Sequence, residues 1–124
     1  MFAPTISSRT SIQHACDALL EADRLTAEAI SIIGRSDVEA STGLSTEMLL
    51  VLSARRTGAD ARMLVNAAAM LRDMPTTAMA FARGDLSWSQ IRAIVSGVRT
   101  VDIAGRTRID QLIARLGIRR PSPK

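Results

Sequence analysis

Tyrosine is absent from this 124-residue chain, and two Phe and one Trp are its only aromatic residues. A core with so few rings must be filled by Leu, Ile, Val, Met and Ala, and at 47% hydrophobic content that mixture favours closely packed helices over a β-sandwich. A single cysteine, Cys16, excludes an internal disulfide and a cysteine-based zinc site, fits a reducing compartment, and is expected to be buried as a small core residue. No run approaches the roughly 18 apolar residues of a membrane span, and the N-terminus lacks a secretory pattern, so the expectation is a soluble, cytoplasmic protein without a membrane partner. Nor is there a Gly-rich phosphate loop or a cluster of metal ligands, so neither cofactor nor metal nor small-molecule substrate is expected. The seven Gly and four Pro sit mainly between the apolar runs, and the length suits one domain.

Lysine is nearly missing as well: fifteen Arg and one Lys make the net charge of +4. The charge is unevenly placed. Residues 1–40 hold three Arg and six acids, net −3, whereas residues 41–124 hold thirteen basic and six acidic groups, net +7. A basic second part is compatible with a polyanionic partner, because the guanidinium fork suits phosphate and guanine, and equally with a solvated helix surface.

Apolar periodicity predicts an all-α single domain of about five to seven helices. Residues 1–10 are expected to be a disordered entry, and 11–117 the domain. Thr10-Ser11-Ile12-Gln13 has capping-box spacing, and Ile12, Cys16, Leu19, Leu20, Ala27, Ile30 and Ile33 recur at three- and four-residue steps. This predicts a long first helix over 11–33, closed by Gly34. Residues 34–44 read as a linker. From Ser45 the run Met48, Leu49, Leu50, Val51, Leu52 is apolar nearly all round, which predicts a helix buried at the centre of the domain and ending at Arg55-Arg56. Thr57-Gly58-Ala59-Asp60 restarts the chain, with Gly58 supplying the tight geometry, and a helix follows to about Arg72. Met74-Pro75 breaks it; Pro75 opens a short helix that Gly84 closes. Ser87-Trp88-Ser89-Gln90 is a capping box for the next helix, with Ile91, Ile94, Val95 and Val98 on its apolar face. A last helix is expected over 106–116 and a disordered basic tail over 118–124. Two helices about a tight turn, carried on supporting helices, form a helix-turn-helix-like core over 45–99.

Candidate chemistry is sparse. His14 has no acid or nucleophile at a useful spacing and reads as an exposed helix residue. Trp88 could stack a base, but reads first as packing on the preceding loop, and the six Met read as adaptable core packing or as an apolar groove. Asp102 and Asp110 read as solvated surface acids.

The pattern from about Thr42 to Leu116 resembles the 13E12-repeat family of actinobacteria, a helical domain of unknown function that commonly precedes an HNH endonuclease domain. The residues that carry the resemblance are Leu49-Leu50, Gly58-Ala59-Asp60-Ala61-Arg62, Leu71, Pro75, Ala80, Gly84-Asp85-Leu86-Ser87 and Gln90. More distantly it is similar to the helix-turn-helix of ParB-type partition proteins. The resemblance implies that 45–56 is the first helix of the motif and 59–72 the recognition helix. It further implies that Arg62 and Asn66 are the base readers and that Arg55, Arg56, Arg72, Arg83 and Arg92 are phosphate contacts. Two departures qualify it. The helix over 59–72 is nearly apolar through Met63, Leu64, Val65, Ala67, Ala68, Ala69 and Met70, where the family pattern is Arg-rich, which leaves a protein-facing surface as the alternative. The histidines an HNH nuclease requires are missing, so no catalysis is expected and the chain reads as a stand-alone or truncated form. DNA and a second copy bound through the long first helix are the two partners left open.

Overall fold

The computed structural model describes residues 4–36 and 43–116, which form six α-helices with no strand among the described residues. They are α1 (Pro4–Arg35), α2 (Thr46–Ser53), α3 (Gly58–Leu71), α4 (Pro75–Arg83), α5 (Trp88–Val98) and α6 (Ile103–Arg115). The expected all-α class and long first helix are both present. Helix α1 is longer than periodicity predicts: it starts at Pro4, so residues 4–10 are helical rather than disordered. Thr10-Ser11-Ile12-Gln13 lies inside it and is no cap, and the helix runs past Gly34 to Arg35. At 1.5 Å per residue its 32 residues span about 48 Å. The expected basic tail over 118–124 and most of the expected linker lie outside the described residues.

Local chemistry accounts for most other boundaries. The Ser45 hydroxyl accepts a bond from the Met48 N–H at 3.1 Å, and Thr57 Oγ1 accepts one from the Asp60 N–H at 3.1 Å, each satisfying an otherwise orphaned donor of a first turn. Pro75 occupies the first turn of α4. Gly84 closes α4 at φ 86°, with Asp85 N–H donating to the Ala80 carbonyl at 2.8 Å, a left-handed closure that glycine adopts without a Cβ penalty. Ser87 and Gln90 form the reciprocal capping box of α5. Helix α6 starts three residues before the expected Arg106, because Asp102 caps it by accepting from the Gly105 N–H at 2.8 Å.

The core is assembled around α3, which packs against α1, α2, α4 and α5, while α6 packs on α4. Ala67, Ala68, Met70 and Leu71 of α3 meet Ala27 and Ile30 of α1, Phe81 of α4 and Ile91, Val95 and Val98 of α5. Met74, Thr77, Ile91 and Val95 are fully enclosed. Phe81 and Trp88 stack with ring centroids 6.1 Å apart. The expectation for α2 is overturned. None of its residues is buried, and Met48 and Leu52 are 47% and 64% exposed. An apolar run all round a helix signals burial only if partners surround it, and α2 docks mainly on α3. The same reason overturns the burial of Cys16: every side chain from Arg9 to Ala22 of α1 is exposed, because this half of α1 projects beyond the helices it would need as neighbours.

Candidate nucleic-acid interface

The turn between α2 and α3 is closed by the Leu50 carbonyl, which accepts from the Ala54 N–H at 3.1 Å and the Arg56 N–H at 3.2 Å. Between these donors the backbone passes through the left-handed region at Arg55, φ 57°. The spacing of the turn residues places that duty on Gly58. The structure assigns it to Arg55 instead: Gly58 is the first residue of α3, lies outside the left-handed region, and a Cβ added there would meet nothing within 4 Å. An L-residue in this conformation costs on the order of 1 kcal/mol relative to glycine. Arg55 and Arg56 are thereby presented side by side at the surface.

Helix α3 offers a single exposed stripe, since its other faces are covered by α1, α2 and α5. Arg62, Asn66 and Ala69 fall on that stripe at four- and three-residue steps and are exposed. Helix α5 flanks the stripe and carries Arg92, Ser96 and Arg99 at steps of four and three, also exposed. Arg92 sits beside Met63 of α3 and shares one groove with Arg56 and Asp60. One turn further along, Asn66, Ala69 and Met70 of α3, Val95 and Arg99 of α5 and Arg106 of α6 line a cleft of about 300 Å³. Arg106 bridges to Asp73 at 3.0 Å and ties α6 to the end of α3.

Of the seven residues chosen from sequence, Arg55, Arg56, Arg62, Asn66 and Arg92 lie along the connected surface of the α2–α3 turn, α3 and α5. The other two do not. Arg72 caps α3 on another flank, beside Arg35, Ala68, Met79 and Phe81. Arg83 is engaged by Asp85 at 3.1 Å and lies in a cleft with Asp17, Glu21 and Asp23 of α1. Helical spacing across α3 cannot show which flank its end residue will meet, and the α1 acids around Arg83 lie 60 to 66 positions earlier in the chain. Arg99 and Arg106 were missed. For Arg99 a signal existed in its spacing from Arg92 and Ser96; for Arg106 only the approach of α6 reveals it.

The electrostatics of this surface are simple. Among the described residues, ion pairs fall on Arg24, Arg83 and Arg106, and Arg55, Arg56, Arg62, Arg92 and Arg99 take part in none. Five unpaired guanidinium groups with Asp60 and Asp73 as nearby acids make a positive strip suited to a chain of phosphates. The opposite character belongs to α1, where Glu21 and Glu28 flank Arg24 at 2.7 and 3.6 Å. The side-chain hydrogen bond from Arg24 holds the Glu21 carboxyl below its ordinary range, and Glu21 in turn raises Arg24.

No helix among the described residues is long and apolar enough to cross a membrane. No curated protein and no solved structure is matched by the chain. A family model described as "Domain of unknown function (DUF222)", the family associated with the 13E12 repeat, matches residues 13–117, which include the α2–α3 turn, the α3 stripe and the α5 arginines. On that match over most of its length, the chain belongs to the DUF222 family.

Proposed function

We propose that this chain is a nucleic-acid-binding helical module of the kind that accompanies an HNH endonuclease domain, with no catalysis of its own. The observation that carries the reading is the strip of arginines without ion pairs from Arg55 to Arg99, together with the use of Arg rather than Gly at the left-handed position of the turn. A strained, exposed residue with no partner inside the protein is consistent with a partner outside it. Arg55, Arg56, Arg92 and Arg99 act on phosphates, and Arg62 and Asn66, one turn apart on α3, are the residues able to reach base edges. Phosphate-type contacts outnumber base readers, so binding is salt-sensitive and largely indifferent to sequence. Fluorescence anisotropy with a labelled duplex at low salt tests this. The variant carrying Arg55→Gly, Arg56→Ala and Arg62→Ala should bind more weakly, with the salt slope reduced by about 1.8 for the two lost phosphate contacts of Arg55 and Arg56. Absence of binding, or binding unchanged in that variant, overturns the reading.

A second reading is favoured by a different observation. The α1 stripe Asp23, Thr26, Ile30 and Ile33, which packs within the domain, continues upward at the same alternating spacing through Leu19, Cys16 and Ile12, where Ile12 and Leu19 are 64% and 68% exposed. A helix of a second copy laid along this continuation would make the chain a dimerisation module. Sedimentation that shows a monomer at high concentration excludes it; a dimer lost in Ile12→Asp or Leu19→Asp supports it.

A further inference from the structure

The cleft between α3, α5 and α6 differs from the rest of the basic strip. The side chains of Asn66 and Arg99 line it with no hydrogen bond or ion pair inside the protein, and Arg106 lines it as well. The Arg106 guanidinium is held from one side only, by Nη1 on Asp73 Oδ2 at 3.0 Å, while its Nε–H is buried without an acceptor. A buried charged donor without a partner is costly, and it gains most from an acceptor of opposite charge. Ala69, Met70 and Val95 add apolar surface to the cleft beside these polar groups. At about 300 Å³ the space exceeds what a tetrahedral phosphate group needs, and leaves room for the ester chain attached to it.

From these observations we propose that Asn66, Arg99 and Arg106 form a discrete phosphate-accepting site. Within the nucleic-acid reading, on which its biological use rests, this site anchors one backbone phosphate beside the α3 stripe. Arg99 and Arg106 supply the positive charge, Arg106 through the part of its side chain that stays exposed while Asp73 holds Nη1. The Asn66 amide donates the neutral hydrogen bond. Asp73 holds Arg106 in place and also lowers the net charge of the site, so the site is selective for a close contact rather than a general attractor of anions. Its ligand is a phosphate group, either in a nucleic-acid backbone or as a free phosphate.

The test uses the full chain and two probes. In spectra of the arginine Nε–H groups, inorganic phosphate at millimolar concentration should move the Arg99 and Arg106 signals saturably, and the shift of Arg106 should weaken in Asn66→Ala and in Arg99→Ala. Arg99→Ala is an exposed change that leaves the Arg106–Asp73 bridge in place, so folding is preserved. With a labelled duplex, Arg99→Ala should weaken binding about three- to tenfold at low salt and lower the salt slope by about 0.9, the value of one phosphate contact. Saturable phosphate binding without duplex binding would support the site, identify free phosphate as the source, and overturn the nucleic-acid reading alone. Duplex binding that is lost in the Arg55, Arg56 and Arg62 variant but unchanged in Arg99→Ala and in Arg106→Lys, with no movement of the Nε–H signals, would overturn the site and leave the nucleic-acid reading standing.

Discussion

Asp110 of α6 and Thr77 of α4 are joined twice: Asp110 Oδ1 accepts from both the Thr77 N–H and the Thr77 hydroxyl at 2.7 Å. Its other oxygen accepts from the Thr76 N–H at 3.1 Å. Met74, at the N-cap of α4, makes no side-chain cap, so a carboxylate from a helix more than thirty positions later does that work. The expectation that Asp110 is a solvated surface acid is thereby overturned: it is buried, and it fastens α6 to the N-terminal end of α4, where the helix dipole favours negative charge. Asp102, the other acid read as surface, is exposed but is the cap of α6.

Removing this clamp should destabilise the whole domain. Asp110→Ala leaves two α4 N–H groups and a buried hydroxyl without acceptors and should cost about 2–3 kcal/mol. Thr77→Val removes only the hydroxyl bond and should cost about 1 kcal/mol. Urea denaturation followed by helical ellipticity measures both, and an Asp110→Ala midpoint equal to that of the parent protein would contradict the role assigned here.

The α2–α3 turn gives a pair of opposed expectations. Arg55→Gly relieves the left-handed backbone and should raise stability by about 1 kcal/mol, even as it weakens duplex binding. Gly58→Ala has open space around it and an ordinary helical position, so it should be neutral or stabilise by about 0.5 kcal/mol. If Gly58 rather than Arg55 were the residue that needs conformational freedom, the two thermal shifts would come out reversed.

Gly105 is constrained by close approach. It is buried in the first turn of α6, and a Cβ there would collide with the Val101 side chain and sit 3.1 Å from Asp102 Oδ1. Gly105→Ala should therefore cost about 1–3 kcal/mol despite the higher helix propensity of alanine, because Val101 and the Asp102 cap must both move. The double variant with Val101→Ala should recover part of the loss, which a double-mutant cycle by thermal melting can read.

Acidification tests the α1 surface. The folded-state pKa of Glu21 lies below its ordinary value because of the Arg24 hydrogen bond, so its contribution to stability is present above the ordinary glutamate range and is lost as pH falls through the lowered value. Both side chains are exposed, so the effect on stability is small and local. In Arg24→Gln the Glu21 titration, followed by the carboxyl carbon resonance, should move upward. A midpoint unchanged by that substitution would remove the assigned cause.

Much of the fold was legible because its signals are local. Ser45, Thr57, Pro75, Gly84 and the Ser87–Gln90 box each act within a few residues, so their spacing alone places a helix end. What failed was burial. Met48 to Leu52 and Ile12 to Leu20 carry the apolar pattern of covered helices, yet cover depends on which elements arrive from elsewhere, and few reach these two. The candidate interface divides the same way. Arg62 and Asn66 share a stripe by helical geometry, which sequence spacing shows directly. That Arg92 and Arg99 flank this stripe follows only from how α5 packs on α3, whereas Arg83 meets Asp85 two residues on, just past the end of α4.

By itself, the amino-acid sequence determined the all-α class, the order of the helices from α2 onward, most of their caps and the basic character of the second part, because periodicity, capping chemistry and charge count act within a turn or two of the chain. The tertiary structure alone decided that Asp110 caps α4, that Asp23 of α1 accepts from the Trp88 N–H at 3.3 Å at the start of α5, that Arg106 meets Asp73, and that the tight turn is made at Arg55. The first three bring together groups far apart in sequence, whose encounter depends on helix packing rather than on local propensity. The fourth depends on where α2 ends against α3, since the turn must close within the distance that their packing leaves.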